Sequence, residues 1–149
     1  TRKHGFLHYE ISNFCLPNAH SRHNSGYWQS RPYLGIGPGA HSYDGASRHF
    51  NPLNLQDYIN KQGITHRTTE VLSEAEQCNE FVFTALRTSN GLNMDEFEIR
   101  FGSKPASNIR TWAQPHIQNG NLSLTERTLR LTETGIFVSN DVLSDLMHV

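Results

Sequence analysis

Cysteine is scarce in this chain, and the scarcity removes several functional classes at once. Only two of 149 residues are cysteine, Cys15 and Cys78, far apart and without a near partner. A secreted disulfide framework needs more of them, and a Cys-x-x-Cys zinc site needs a close pair. An iron–sulfur cube needs three or more thiolates within reach of its irons, and this chain has no such set. Cys78 falls on an apolar helical stripe, which reads as a buried, inert thiol. Long apolar runs are missing too: no stretch of about 18 residues is apolar enough to cross a bilayer, and no charged-then-apolar secretion signal opens the chain. A soluble cytoplasmic protein that does not span a membrane is the expectation. Internal repeats and low-complexity tracts are absent.

Net charge is nearly absent at −1, but it is unevenly divided. Residues 1–73 hold seven Lys/Arg against four Asp/Glu, giving +3; residues 74–149 hold six against ten, giving −4. The N-terminal part is therefore suited to an anionic ligand, whereas the C-terminal part has the wrong sign for a phosphate backbone, and no nucleic-acid partner is expected. Nine histidines invite a metal reading, with His4, His8, His20, His41, His49 and His66 in the first half. None of them forms the helical His pair with an intervening acid that a zinc protease uses, because His4 and His8, four apart, flank a glycine and lead into a strand.

What is present is concentrated between Arg22 and Ser42. His23-Asn24-Ser25-Gly26-Tyr27-Trp28 places a potential metal ligand, a hydrogen-bonding amide and two flat aromatic faces together. Leu34-Gly35-Ile36-Gly37-Pro38-Gly39-Ala40-His41-Ser42 follows, with three glycines in five positions that let a backbone approach closely. Such a combination suits a planar, anionic, metal-bearing molecule such as a porphyrin. Gly35-x-Gly37-x-x-Ala40 also matches the loose dinucleotide fingerprint, but Pro38 lies inside it and His41 to Gly45 reads as a loop, not a helix start, so a tight backbone passage is the better reading. A lone His in a loop is usually solvated, Trp28 serves equally well as a core residue, and His41 reads as structural or as a hydrogen bonder behind the ligand.

Tyr9-Glu10-Ile11-Ser12-Asn13-Phe14, then His23-Asn24-x-x-Tyr27-Trp28, then Tyr33 to Ser42 resemble, in that order and spacing, the C-terminal part of HemW proteins. These are radical S-adenosylmethionine proteins, long described as oxygen-independent coproporphyrinogen III oxidases and regarded as haem chaperones. The resemblance continues through Arg48, Asn51, Tyr58, Glu80, Leu86-Arg87, Gly91 and Thr132-x-x-Gly135, and so covers almost the whole chain. It implies haem or porphyrin as ligand, with His23 as the tentative contact to the haem iron and Asn24, Tyr27, Trp28, Gly35, Gly37 and Gly39 as the other binding residues. Tyr27 is a stacking residue or a second ligand. The resemblance further implies haem-accepting proteins as partners, and a [4Fe–4S] cluster with S-adenosylmethionine in the full-length parent only. The chain begins Thr1-Arg2-Lys3 without Met and is read as a C-terminal fragment, without catalytic residues of its own and inactive alone. A coproporphyrinogen III oxidase is the alternative within this class. The second class is a non-enzymatic winged-helix module, against which the few basic residues Lys104, Arg110, Arg127 and Arg130 speak if its partner is DNA.

The expected fold is α+β: residues 1–66 supply terminal strands of a radical S-adenosylmethionine barrel and a linker, and residues 67–149 a mainly helical, winged-helix-like domain of the HemN C-terminal type. Leu7 to Phe14 and Tyr33 to Ile36 read as strands separated by a polar loop, and Leu55 to Lys61 as a short helix. Ser73 with Glu76 is a capping box before the stripe Cys78, Phe81, Val82, Ala85, Leu86. Asn93 opens a second helix that Gly102 stops, Ser103 caps a third, and Pro115 predicts a kink or early break in it. Leu122 to Leu131 reads as a β-hairpin, and Thr132 as the cap of a last helix.

Overall fold

A computed structural model describes residues 2–60 and 67–147. After a 3-10 turn at Arg2–His4 come β1 (Leu7–Glu10), β2 (Asn13–Cys15), α1 (Arg22–Trp28), β3 (His41–Tyr43), β4 (Ser47–Phe50), α2 (Leu55–Asn60) and β5 (Thr68–Val71). There follow α3 (Glu74–Leu86), β6 (Leu92–Asn93), α4 (Met94–Phe101), α5 (Ser103–Gln118), β7 (Leu122–Thr125), β8 (Thr128–Leu131), α6 (Glu133–Phe137) and α7 (Ser139–Asp145). Helix and strand are thus mixed as expected. The strands fall into sheets of two, three and three, and no closed barrel forms among the described residues. By contacts the chain divides into Thr1–Arg22 with Cys78–Val149, and His23–Gln77. The sequence segments 1–66 and 67–149 are drawn differently, and His66 at their boundary lies outside the described residues.

The first unit is organised by one apolar core. The capping box that opens α3, at Ser73 and Glu76 just before the division at Cys78, forms as read: the Ser73 N–H donates to Glu76 Oε2 at 2.7 Å and the Glu76 N–H to Ser73 Oγ at 3.3 Å. The stripe on α3 then carries Cys78, Val82 and Leu86 into the core beside Phe97, whose ring lies 5.0 Å from Phe101 and 6.1 Å from Phe81. Asn93 caps α4 by accepting the N–H groups of Asp95 and Glu96 at 2.9 and 3.0 Å. Gly102, at φ 90°, ends α4 and is also the N-cap of α5, so Ser103 is the first helical residue and not the cap. Helix α5 runs through Pro115 to Gln118 and the expected early break is absent. The ring removes one backbone bond near the C-terminal end, after Ala106, Ile109 and Ala113 have anchored the preceding turns in the core.

The predicted hairpin is present and tighter than the polar stretch suggested. Glu126 (φ 49°) and Arg127 (φ 62°) alone form the turn, both left-handed as a two-residue type I′ connection requires. Two-residue β6 pairs with β8 and makes a third strand, too short to leave a periodic signal. The expected last helix is two, α6 and α7, with Val138 between them. Thr132 Oγ1 caps α6 by accepting the Gly135 N–H at 3.0 Å, and a Cβ on Gly135 would fall 1.9 Å from the Asn121 carbonyl oxygen. That close approach accounts for the Thr-x-x-Gly spacing.

The single strand expected over Leu7 to Phe14 is a hairpin, β1 and β2. Glu10 turns it: its Oε2 accepts the Ser12 N–H at 3.0 Å and the Asn13 side-chain amide, while its Oε1 accepts Arg87 Nη2 at 2.7 Å and Nε at 3.1 Å. The hairpin is also tied to the end of α3 through the backbone, by Ile11 N–H to Arg87 O at 3.0 Å and Ser89 N–H to Tyr9 O at 3.1 Å.

The second unit contains the antiparallel sheet β3-β4-β5 with helices α1 and α2. Tyr33 to Ile36 is not a regular strand; only Tyr33 pairs, in an isolated bridge with Tyr43. His41 to Tyr43, expected as loop, is β3. Helix α2 matches the reading up to Asn60, and Lys61 lies outside the described residues. Asn54 Oδ1 caps it, accepting the N–H groups of Gln56 and Asp57 at 2.8 and 3.1 Å.

Candidate functional site

His23, Asn24, Tyr27 and Trp28 lie on α1, where a polar loop was expected. Helical spacing makes two pairs of them, His23 with Tyr27 and Asn24 with Trp28, each four residues and about one turn apart. His23 and Tyr27 are exposed, Tyr27 by 42%, whereas Asn24 and Trp28 are half-buried. The helix closes on itself, with the N–H groups of Gln29, Ser30 and Arg31 donating to the carbonyls of Ser25, Tyr27 and Gly26. Gly26 lowers intrinsic helix propensity, which is why the sequence did not signal this element.

The aromatic rings form a row. Tyr27 stands edge-on to Trp28 at 4.9 Å and tilted to Tyr33 at 5.9 Å, and Tyr33 lies 6.3 Å from Tyr43. Tyr33 and Tyr43 exchange both backbone hydrogen bonds, at 2.9 and 3.0 Å, and Tyr43 Oη donates to the Gly45 carbonyl at 2.8 Å.

The glycine segment makes its close approach to the protein's own backbone. A Cβ on Gly35 would fall 2.1 Å from the His41 carbonyl oxygen. The Gly35 N–H donates to Ser42 Oγ at 2.9 Å, the Gly37 N–H to Tyr58 Oη at 3.2 Å, and the Gly39 N–H to the Pro52 carbonyl at 2.9 Å. Buried Asn51 ties the same segment as well, donating from Nδ2 to the carbonyls of Gly35 and Gly37 at 3.2 and 3.0 Å. No helix opens after Ala40, so the dinucleotide fingerprint lacks the helix N-terminus that would hold a pyrophosphate. His41 is exposed and packs edge-on against Phe50 at 4.6 Å.

Two polar arrangements left no sequence signal. Buried His49 bridges Thr69 Oγ1 at 3.0 Å and Asp44 Oδ2 at 3.1 Å. Asp44 also accepts the Ala46 and Ser47 N–H groups; these two bonds and then His49 hold its carboxyl at about 2. In the first unit, burial pushes the Glu10 carboxyl up, but bonds from Asn13, Ser12 and Arg87 together leave it below the ordinary range. A cleft of about 140 Å³ lies beside this pair, with Arg130 and Glu133 also on its walls. Glu10 and Arg87 are 77 positions apart, which is why neither residue announced the other.

Among the described residues no group of three His, Cys, Asp or Glu side chains is placed to hold a metal ion, and Cys15 and Cys78 are buried free thiols. Two isolated thiols do not fit a [4Fe–4S] cluster. An exposed imidazole with an adjacent aromatic face is, by contrast, a donor set that fits haem iron. No described helix is long and apolar enough to cross a membrane.

Residues 72–138 match the model of the HemN C-terminal domain family. The chain is 31% identical over 142 residues to the heme chaperone HemW of Bacillus subtilis (strain 168), which takes in 93% of this chain and 38% of that protein. It is 32% identical over 160 residues to the bovine (Bos taurus) radical S-adenosyl methionine domain-containing protein 1, mitochondrial, with 98% of this chain and 36% of the relative covered. Among solved structures, the coproporphyrinogen III oxidase HemN of Escherichia coli, a radical SAM enzyme, superposes with a TM-score of 0.72 at 14% identity, over 98% of this chain and 38% of the other. The chain thus spans well under half the length of these relatives. It carries a HemN C-terminal domain and corresponds to the part of a HemW-like protein that bears that domain.

Proposed function

We propose that the protein carrying this chain is a HemW-like haem chaperone, and that α1 supplies its haem contact within this chain. His23 meets the iron or the macrocycle and Tyr27 lines the pocket on the same face of the helix; Asn24 and Trp28, on the neighbouring half-buried face, hold the helix in place, Trp28 standing edge-on to Tyr27, and Gly35, Gly37 and Gly39 form the backbone beside it. The supporting observation is that helical spacing puts an exposed imidazole one turn from an exposed phenol ring, so that one ligand plane can be met by both. Bound haem would supply an iron centre for His23 to ligate; the residues of this chain orient the ring and shield its faces. The glycine amides donate inside the unit, so their part in the pocket is to frame it. The cluster and S-adenosylmethionine belong to the remainder of the parent, because the thiols here cannot hold a cube.

The segment from α3 onward is winged-helix-like in its order of three helices, hairpin and helices. We read it as a structural partner to the rest of the protein and not as a nucleic-acid reader. Arg110 of its third helix pairs with Glu98 and Arg127 of its hairpin turn with Asp95, each at 2.7 Å, so two of its few basic residues already face acids.

The test is haem titration of the whole protein, followed in the Soret region. His23→Ala is expected to shift the band and weaken binding, while His20→Ala, whose ring stands against Tyr9, leaves both unchanged. Tyr27→Phe keeps the ring and removes the oxygen: an unchanged spectrum makes Tyr27 a stacking residue, and a shifted one makes it a ligand or hydrogen-bond partner. Wild-type affinity and spectrum in His23→Ala would overturn the assignment.

A further inference from the structure

We propose that Tyr33 is a positioning residue for the haem-facing ring of Tyr27, an inference that rests on the reading of α1 as the haem contact. An exposed aromatic side chain on a short helix has two soft torsions, and a flat ligand binds well only to a face already held in place. Tyr27 is 42% exposed and sits on a helix of seven residues, so solvent alone leaves its ring free to turn. What limits it is aromatic contact with two rings: Trp28 edge-on at 4.9 Å from the same helix, and Tyr33 tilted at 5.9 Å from the segment leading to the glycines.

Tyr33 is suited to act as the fixed member of that pair. Its backbone makes both hydrogen bonds of a bridge with Tyr43, at 2.9 and 3.0 Å, and Tyr43 is itself part of β3 and tied by its hydroxyl to Gly45. Two residues on, Gly35 is locked against His41 and Ser42, so the chain leaving Tyr33 is held as well. The order of the sheet is thus passed through Tyr33 to a ring on a helix that buries no residue of its own. Aromatic pairs at such distances contribute enough for loss of one ring to change affinity by roughly two- to tenfold.

The experiment is a double-mutant cycle on the whole protein, with haem titrated and the Soret band recorded. Tyr33→Ala is expected to weaken haem binding by roughly two- to tenfold and to broaden or shift the band, whereas Tyr33→Phe, which keeps the ring, restores the wild-type values. Because Tyr33 acts through Tyr27, adding Tyr33→Ala to Tyr27→Ala should cost nothing further. Tyr33→Leu keeps bulk without a flat face and should behave as Tyr33→Ala; far-UV circular dichroism checks both, and the Leu variant decides should the Ala variant unfold. Wild-type binding in Tyr33→Ala and Tyr33→Leu, or fully additive losses in the double variant, would overturn the inference. The His23→Ala variant separates the two levels: if it alters the spectrum while the Tyr33 variants are silent, only the role of Tyr33 fails, and if it too is silent, the haem reading fails with it.

Discussion

Among the described residues, the unit formed by Thr1–Arg22 and Cys78–Val149 gathers fifteen buried apolar side chains into one cluster, while the unit His23–Gln77 buries Leu72 alone with the polar Ser42, His49 and Asn51. The first is held by removal of apolar surface from water, at about 25 cal/mol per Å². The second is held by side chains bonded to backbone, each worth about 1 kcal/mol net. It also leaves Leu34, Ile36, Leu53, Leu55 and Ile59 more than half exposed. The difference teaches where order comes from in each: a core tolerates local change by repacking, whereas a polar tie either forms or is lost. Residues proposed to meet a ligand lie in the unit with the smaller reserve, as is usual for binding segments.

Phe97→Ala tests the first half of the comparison hardest. Phe97 is fully buried between Phe81 and Phe101, and its loss should cost about 3–5 kcal/mol in urea unfolding. A cost below about 1 kcal/mol would mean that the cluster is not the source of stability. Glu10→Gln should cost about 3 kcal/mol, because it leaves the half-buried Arg87 guanidinium without its carboxylate. The pH dependence follows in sign. Since the folded carboxyl is held below its ordinary value of 4.5, its contribution is complete above that value and is lost as pH falls through the lower folded one. Urea midpoints of the wild type should therefore drop on acidification below about pH 4.5, and Glu10→Gln should flatten that drop. Equal acid sensitivity in both proteins would rule out Glu10 as its cause.

The smallest effect is the sharpest test of the contrast. Asn51→Ala removes two bonds to the carbonyls of Gly35 and Gly37, and should lower the local opening free energy by about 1–2 kcal/mol. Amide hydrogen exchange should then quicken by roughly tenfold at Gly35, Gly37 and Tyr43, with the amides of α3 to α5 unchanged. Uniform acceleration across both units would show that they open together and would dissolve the distinction.

Local chemistry was the part of this fold that could be read in advance. Ser73 with Glu76, Asn93 and Thr132 each satisfy helix N–H groups within three residues, and they formed as expected. Gly102 stopped its helix, and the alternation around Thr125 to Thr128 gave a hairpin. Helix α1 was missed because its residues are polar and interrupted by Gly26, so no apolar stripe marked it. Strand β5 was missed because all four of its residues are exposed and no alternation shows. The order of motifs from Tyr9 to Ser42 carried the family resemblance, and the matches to HemW proteins and to the HemN C-terminal domain bear it out.

By itself the sequence determined the helix caps, the hairpin, the apolar stripe of α3, the family and the absence of a thiolate set for a cluster. Each of these depends on neighbours a few residues away or on composition, which survive in any arrangement of the chain. Only the tertiary structure decided that Glu10 meets Arg87 across 77 positions, that Gly35 passes close against the His41 backbone, and that the ring of Tyr27 lies 5.9 Å from that of Tyr33. Those pairings join segments whose own patterns are silent about one another, and their free energy appears only once the chain entropy of bringing them together has been offset by the packing of the whole.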